Sequence, residues 1–516
     1  MAIGRQSEAP GSATQASAVQ STVAARSKTA LILTVCLAQF MVILDATVTN
    51  VALPTIARDL HFTTSDLQWV ITAYTLTFGG FLLLGGRSAD LFGRRRLFTL
   101  GVTIFTVASL ANALAQSSSA LIISRALQGT GAALVSPAAL SIITTSTAEG
   151  QERRRALGIF AAISAGGGGV GLLLGGVLVT YLSWRWVFLI NLPVGAAALV
   201  LARLYVPESH ARERAGSFDL AGAILITAGL ALFTYAVTEA NRYGWGSAHT
   251  LVLSAVSLGL IAAFVIVEKR LRAPLVRLAI FKMRSLSTSA AATFLLTAGL
   301  YSNFFFGTLY LQVVKGHTPL QTGLMFLPQS ACVAVFSGIS QRLIGRIAPK
   351  LVLTAGLLLD AAGLAYLSTL QVSDSYLTGF LPGILCVATG LGLAFVPLTM
   401  TATSAAKPDD QGLASGIFNT SQQVGGAVGL AVLAAIASTV TANTHASSHT
   451  QALVNGYTTA FAVAAAITLA AVAVVIVLMP ARTTPARATA AGTAGCHVGT
   501  RSALALEADP QPASTV

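Results

Sequence analysis

The sequence predicts an all-α membrane protein with fourteen transmembrane helices, and three observations support this fold class. Only 9% of the 516 residues are charged and 54% are hydrophobic, whereas soluble domains carry about 25% charged residues. Apolar runs of about 20 residues, the length of a spanning helix, recur along almost the whole chain. Backbone groups in hydrocarbon must be satisfied within the segment, which favours helices over open sheets. This composition excludes a soluble globular protein and a disordered chain.

Charged residues and clusters of Gly, Pro and Asn divide the apolar sequence into fourteen spans. They are predicted to begin near residues 29, 68, 97, 119, 156, 186, 219, 250, 286, 319, 351, 377, 412 and 457.

Lys and Arg collect in cytoplasmic loops, so their positions indicate the orientation. With both termini inside, 26 of the 30 basic residues other than Arg125 lie on the cytoplasmic side. We therefore predict a multi-pass protein of the cell inner (plasma) membrane with both termini cytoplasmic.

The chemistry-bearing residues exclude several functions. The four cysteines do not have the spacing of a metal site or a disulfide framework, and no metal site is predicted. No GxxxxGK[ST] motif is present, so ATP is not expected to drive the protein. No catalytic Ser/His/Asp arrangement is present, so neither an enzyme nor a cofactor is expected. The basic residues lack the interleaved aromatics of nucleic-acid-binding proteins, and no nucleic-acid partner is expected.

The second half of the sequence resembles the first half with an offset of eight helices. Gly86 and Arg94 match Gly338 and Arg346 at an offset of 252, and segment 156–160 matches segment 414–418 at an offset of 258. Convergent selection of glycines for helix packing is the alternative, but the motifs keep their order and their offsets differ by only a few residues. We therefore predict two six-helix bundles with two additional helices between them and a substrate site between the bundles, as in transporters built from parallel repeats.

The repeat divides the chain into five predicted segments. The first 28 residues are polar and rich in Ser, Ala and Gln, which favours a tail over a signal peptide. The segments are a cytoplasmic N-terminal tail (1–28), an N-terminal six-helix bundle (29–206), two inserted transmembrane helices with linkers (207–284), a C-terminal six-helix bundle (285–480) and a disordered cytoplasmic tail (481–516).

The loop after span 2 carries a recognisable motif. Residues 86–96 read GRSADLFGRRR, which resembles the signature G-x-L-A-D-x-x-G-R-[KR] of the major facilitator superfamily. The glycines permit close packing and a turn, and Asp90 is placed to pair with Arg94 or with a helix terminus. The resemblance implies the major facilitator fold and a gating latch that holds one access state. The latch residues are Gly86, Asp90, Gly93, Arg94 and Arg95, and simple anchoring of the arginines at the cytoplasmic surface is the alternative.

Two ionisable residues lie inside predicted spans 1 and 4. Residues 44–54 read LDATVTNVALP and resemble the first span of the fourteen-span drug:proton antiporters of this superfamily, and residues 125–129 resemble their R-x-x-Q-G motif. An intramembrane carboxyl is expensive and is by default a functional candidate. We predict that Asp45 binds the coupling proton. Arg125 cannot lose its charge and needs an acceptor, with Asp45 or an exposed carbonyl as the expected partner. The alternatives are a structural acid and an arginine that snorkels to the interface.

Other motif residues have predicted roles in proton coupling or in helix structure. Asp360 in span 11 is a second buried acid, predicted either as a supplementary proton-coupling site or as a helix-packing partner. In the antiporter motif G-P-x-x-G-G of span 5, Leu172 stands where the family has Pro, so no proline kink is expected. Residues 184–193 match the family's W-R-W-x-F-x-x-N-x-P and are interpreted as an interfacial aromatic anchor. The glycines predicted to allow close helix packing are Gly129, Gly171, Gly175, Gly176, Gly425 and Gly426.

Aromatic and polar residues are the candidates for substrate contacts. Tyr301, Phe305 and Gln312 recur at helical spacing on about one face of span 9. Such a face suits an aromatic or cationic amphiphile, and a lipid-facing aromatic stripe is the alternative. The other candidates are Gln39, Asn50, Trp69, Tyr74 and Gln128.

The resemblance covers about residues 29–480 and implies a proton-coupled exporter. Its expected substrates are small amphipathic or cationic compounds, such as an antibiotic, and it is expected to work by alternating access. The expected partners are the lipid bilayer, the small-molecule substrate and protons, and the protein is expected to be a monomer. Two alternatives are a symporter of the same fold that imports a small nutrient and a membrane sensor that does not transport.

Overall fold

The computed structural model of the chain describes residues 11–147, 150–208, 219–271, 274, 276–344, 346–404, 411–444 and 448–479. Some side chains within these ranges are not described, among them those of residues 11–27 and of Asp90. The predicted latch residue Asp90 is therefore placed only by its backbone. The predicted tail at 481–516 lies outside the described residues.

The described residues form fourteen long helices, and no strand occurs among them. The helices are α1 (Gly11–Asp59), α2 (Trp69–Phe92), α3 (Arg94–Ala113), α4 (Ser118–Ser146), α5 (Gln151–Tyr181), α6 (Asn191–Tyr205), α7 (Leu220–Tyr243), α8 (Ala248–Arg270), α9 (Arg284–Leu309), α10 (Pro319–Ile344), α11 (Pro349–Leu367), α12 (Leu381–Ser404), α13 (Gln411–Asn443) and α14 (His449–Leu478). Short α-helices at Thr64–Leu67 and Trp186–Leu189, a 3₁₀-helix at Leu278–Lys282, and π-helical turns at Tyr310–Val314 and Tyr376–Phe380 lie between them.

Each of the fourteen predicted spans corresponds to one of these helices. In the described part of the chain, thirteen helices are long and apolar enough to cross a membrane. The remaining helix, α5, contributes a shorter apolar segment at Gly167–Tyr181. The predicted all-α membrane fold is confirmed.

The helix boundaries differ from the prediction at three places. Helix α1 already begins at Gly11, inside the segment predicted as an N-terminal tail. Helix α13 continues to Asn443, and α14 begins at His449, well before the predicted start near residue 457. The predicted outer loop between these two spans is therefore mostly helical. Ser448 stabilises the start of α14, since its hydroxyl accepts a hydrogen bond from the backbone N–H of Gln451 at 3.2 Å.

The helices of each half pack mainly on one another. In the first half α1 contacts α4, α5 and α6, and α4 also packs on α2 and α3. In the second half α9 contacts α12, α13 and α14, and α11 packs on α12 and α14. The inserted helices α7 and α8 pack together, and α7 also contacts α2 and α13. The inserted pair thus lies against one helix from each half, while the predicted segment boundaries stay a prediction.

Helices α5 and α10 form one of the two main contacts between the halves. A Cβ at Gly176 would lie 2.8 Å from the Cα of Leu320, and a Cβ at Gly323 would lie 2.5 Å from the carbonyl oxygen of Leu172. Only glycine allows such a close approach of two helices. Helix α5 runs through Leu172 without a break, as expected where the proline is missing.

The glycines nearer the other end of these two helices make no such contact. A Cβ at Gly158 of α5 or at Gly338 of α10 would meet no atom within 4 Å. The second main contact between the halves joins a different pair of helices, α2 and α13. It includes a 3.2 Å hydrogen bond from the Thr420 hydroxyl to the carbonyl oxygen of Gly79. The close glycine contacts between α5 and α10 therefore lie towards Tyr181, the end predicted to face away from the cytoplasm.

Candidate functional site

Asp45 lies at the centre of a buried polar cluster in the first half. Its side chain, on α1, is 0% exposed. Oδ2 accepts a hydrogen bond from Arg125 Nη1 at 2.5 Å, and Oδ1 accepts from Gln128 Nε2 at 2.8 Å and from Asn191 Nδ2 at 2.7 Å. All three partners are donors, and the two carboxyl oxygens of Asp45 accept all three hydrogen bonds.

The Arg125 guanidinium on α4 is buried with Asp45, and the side chain is 1% exposed. Its Nε donates to the carbonyl oxygen of Val70 at 2.9 Å, and Nη1 also donates to Gln128 Oε1 at 2.6 Å. The guanidinium carbon lies 4.3 Å from the centre of the Tyr74 ring, a cation–π distance. Arg125 therefore points into the half-molecule beside Asp45 and does not snorkel to the surface.

Polar side chains of α3 and α4 complete the cluster. Gln128 Nε2 also donates to Ser109 Oγ at 2.8 Å, and Asn112 Nδ2 donates to Gln128 Oε1 at 2.7 Å. The Ser124 hydroxyl in turn donates to Asn112 Oδ1 at 2.6 Å. All of these side chains are buried. Such a connected network holds the Gln128 amide in one orientation, with its nitrogen towards Asp45.

Sequence reasoning missed the contribution of Asn191, Asn112 and Ser109 to this cluster. The motif that contains Asn191 was interpreted as an aromatic anchor at the membrane interface. Trp184 is instead 2% exposed, and its Nε1 donates to Asp59 Oδ2 at 2.8 Å. Asn191 and Asn112 could have been identified from the sequence as amides inside apolar spans, because such a group requires a hydrogen-bond partner.

The remaining predicted substrate residues of the first half do not form one surface. The Asn50 amide donates to the carbonyl oxygen of Ala46 in its own helix at 2.9 Å. The Trp69 ring lies 6.4 Å from the Tyr235 ring of α7, and Gln39 is 9% exposed. Their roles in substrate binding stay predictions, whereas Tyr74 and Gln128 lie in the Asp45 cluster.

The three candidates of span 9 also point to different partners. The Tyr301 hydroxyl donates to Gln423 Oε1 at 2.8 Å, and Gln312 Nε2 donates to the carbonyl oxygen of Val51 at 2.9 Å. Phe305 is 0% exposed. Gln312 lies in the π-helical turn at Tyr310–Val314, and the common face of the three residues stays a prediction. A role of these residues in substrate binding stays a prediction.

Asp360 lies apart from the Asp45 cluster. It is 1% exposed on α11, and its Oδ2 accepts a hydrogen bond from the Thr468 hydroxyl of α14 at 3.2 Å. The structure therefore does not bring the two predicted proton-coupling acids together. Among the described residues, no group of three or more His, Cys, Asp and Glu side chains could hold a metal ion.

The predicted latch lies where α2 meets α3. Gly93 joins the two helices with φ 95°, a conformation that other residues rarely adopt. Arg95 Nη1 lies 3.7 Å from Glu208 Oε2, and its Nη2 donates to the carbonyl oxygen of Arg203 at 3.1 Å. Arg95 therefore pairs with the end of α6, and the predicted role of Asp90 stays a prediction because its side chain is not described.

The six glycines predicted to allow close packing lie at helix contacts. A Cβ at Gly426 would lie 2.6 Å from the Tyr301 ring, and a Cβ at Gly175 would lie 3.0 Å from the carbonyl oxygen of Val48. The contacts join Gly129 to α2, Gly171 and Gly175 to α1, Gly176 to α10, and Gly425 and Gly426 to α9.

Comparison with known proteins decides the family. Residues 35–430 match the family model described as Major Facilitator Superfamily. The chain belongs to this superfamily. It is therefore a secondary transporter rather than an enzyme. The transporters of this superfamily act on small molecules within the membrane.

Relatives within the superfamily share much of the sequence. The chain is 42% identical over 396 residues to the puromycin resistance protein of Streptomyces alboniger, covering 76% of this chain and 78% of that protein. It is 42% identical over 406 residues to the cephamycin export protein CmcT of Amycolatopsis lactamdurans, covering 78% and 83%. A lincomycin resistance protein of Streptomyces lincolnensis is 37% identical over 422 residues, covering 79% and 84%.

Solved structures share the fold of this superfamily member. An autoinhibited peptide transporter of the POT family has a TM-score of 0.65 and 16% identity, with 89% of this chain and 99% of that chain covered. A bacterial homologue of the human lysosomal transporter Spinster has a TM-score of 0.63 and 16% identity, with the same coverage. These similarities support the fold alone.

We expect Asn191→Leu to lower the free energy of unfolding by about 1–3 kcal/mol, because Asp45 Oδ1 loses a donor in a site closed to water. The measurement is thermal unfolding of the purified protein in detergent. The matched control is Asn419→Leu, since the Asn419 amide is exposed and donates to the carbonyl oxygen of Ser415 in its own helix at 3.0 Å. Equal losses in the two variants would show that the Asn191 contact contributes nothing specific.

Proposed function

We propose that the protein is a proton-coupled exporter of small amphipathic or cationic compounds, such as an antibiotic. The relatives described above are resistance and export proteins for puromycin, cephamycin and lincomycin. Their sequence similarity supports export as the direction of transport. The single observation that supports proton coupling is the buried contact of the Asp45 carboxylate with the Arg125 guanidinium.

The Asp45–Arg125 contact gives a physical route to coupling. A proton and the guanidinium compete for the same carboxylate, because protonation removes the charge that holds Arg125 in place. A buried arginine without its acceptor is costly, so protonation favours a conformation in which Arg125 has other partners. Proton binding can thus shift the equilibrium between the inward-facing and outward-facing states. The size of this shift is limited by the difference in proton affinity between the two states.

The conformation described above corresponds to one step of this cycle. Asp45 is paired with Arg125, and helices α5 and α10 are closely packed near Tyr181, at the predicted outer end. We assign it to the deprotonated state that receives substrate from the cytoplasm or the inner leaflet. Protonation of Asp45 from outside then accompanies return from the outward-facing state, and the proton is released to the cytoplasm.

Several further features belong to the same proposal. The protein works as a monomer in the plasma membrane, with both termini in the cytoplasm and without ATP or a cofactor. Asp360 acts as a supplementary proton site, supported by its burial beside the Thr468 hydroxyl. The contact of Arg95 with Glu208 forms part of the cytoplasmic latch.

The test is transport in proteoliposomes with an imposed proton gradient and puromycin as the probe. We expect the wild type to move puromycin against the proton flux and Asp45→Asn to lose at least tenfold of this gradient-driven transport, because the amide cannot carry a proton. Exchange of puromycin without a gradient should persist in Asp45→Asn. Asp360→Asn in the same assay tests the supplementary site and should give a smaller loss.

The assay also separates the alternatives. Movement of puromycin in the same direction as protons would indicate a symporter, and no proton flux at all would indicate a sensor. Full drug/proton exchange in Asp45→Asn would remove Asp45 from the coupling role.

A further inference from the structure

A second polar site lies at the predicted cytoplasmic end of the first half, away from the Asp45 cluster. It is a cavity of about 500 Å³ between the Lys28–Leu31 turn of α1 and the ends of α3, α4 and α6, within the size range of ligand-binding pockets. Three basic side chains line this inner basic cavity, namely Lys28, Arg95 and Arg203. The hydroxyl groups of Thr145 and Ser146 also line it.

The inner basic cavity carries an excess of positive charge. No acidic residue is among its lining residues. Lys28 Nζ pairs at 3.0 Å with Glu152, but the two side chains are 52% and 37% exposed, and exposed pairs of this kind contribute little. In the part of the chain that the structure describes, no carboxylate lies within 4 Å of the Arg203 guanidinium. Arg95 Nη1 also lies 3.7 Å from Glu208 Oε2, a carboxylate that it shares with Arg96. The positive charges still outnumber these two carboxylates, so an anion in the cavity meets donors and net positive charge.

An apolar surface adjoins the basic side chains. Leu31, Tyr205 and Val206 also line the cavity, and Leu31 and Val206 are buried. Leu204 also lines it and is 68% exposed, and Val200, one helical turn earlier on α6, is 58% exposed. Since residues four apart share a helix face, these two side chains form an apolar strip that leads from the membrane to the cavity.

We propose that the inner basic cavity binds the head group of an anionic phospholipid. The phosphate contacts Lys28, Arg95 and Arg203, and the acyl chains lie along Val200 and Leu204. Basic pockets between helices on the cytoplasmic side suit such head groups. The alternative is a general attraction of cytoplasmic basic residues to the anionic membrane surface. That attraction requires neither a cavity nor three basic side chains that line the same site. Because Arg95 also pairs with Glu208, bound lipid competes with this contact at the predicted latch.

The test uses the full chain and does not depend on transport. Protein in detergent is titrated with phosphatidylglycerol, phosphatidylcholine or inorganic phosphate, and bound lipid is counted by native mass spectrometry together with the shift in thermal unfolding. We expect saturable binding of phosphatidylglycerol at low stoichiometry, with at least tenfold preference over phosphatidylcholine. The double variant Lys28→Gln/Arg203→Gln should weaken this binding at least tenfold.

Two further variants keep the result interpretable. Lys282→Gln/Arg342→Gln removes one lysine and one arginine from exposed positions on the predicted cytoplasmic side outside the cavity, and its binding should stay within threefold of wild type. Lys28→Arg/Arg203→Lys keeps both charges and should also stay within threefold. Equal loss in the two Gln double variants would overturn the proposal in favour of general surface charge. Protection by inorganic phosphate equal to that by phosphatidylglycerol would overturn it in favour of a free anion.

Discussion

Replacing Arg125 with leucine is expected to lower the free energy of unfolding by about 3–5 kcal/mol, because it leaves the Asp45 carboxylate buried without its cation. Both side chains are at most 1% exposed, so water cannot take the place of the guanidinium. The loss is measured by thermal unfolding of the wild type and Arg125→Leu in detergent.

The double variant Arg125→Leu/Asp45→Asn separates the two contributions. It removes both charges together and is expected to regain most of the lost stability, because an uncharged pair carries a much smaller desolvation cost. Gradient-driven transport should remain absent in the double variant. Thermal unfolding of the wild type, both single variants and the double variant forms a double-mutant cycle. A coupling energy near zero would show that the ion pair does not hold this conformation together.

A disulfide between α5 and α10 at their closely packed end is expected to abolish transport reversibly. The backbone N–H of Leu320 donates to the Thr180 hydroxyl at 3.1 Å, so cysteines at these two positions lie close enough to be joined. If alternating access requires these helices to separate at this end, oxidation of Thr180→Cys/Leu320→Cys should reduce export at least tenfold. A reductant should restore it.

The design needs a background without the native cysteines. Cys36, Cys332, Cys386 and Cys496 are replaced with alanine, and the two single cysteine variants are the controls. Formation of the disulfide is followed by gel mobility after cleavage between the halves. Full export by the oxidised double-cysteine protein would exclude separation of α5 from α10 as part of the transport cycle.

Much of the fold followed from local properties of the chain. The length and apolar character of each segment predict its helix without reference to the rest of the protein, and the fourteen helices lie at the predicted positions. The boundaries were less accurate at α13 and α14, because small and polar residues such as those of 438–443 and 449–456 form helix once a cap and neighbouring helices stabilise it. Hydropathy alone does not contain that information.

The sequence by itself determined that a buried acid in span 1 and a buried arginine in span 4 both need partners, since an isolated charge in hydrocarbon is too costly. Only the tertiary structure decided how those needs are met. Asn191 reaches Asp45 across 146 residues of sequence, and Ser109 and Asn112 reach Gln128 from α3. These contacts depend on how each helix is rotated against its neighbours. That rotation is set by packing at many distant positions, so no single motif encodes it.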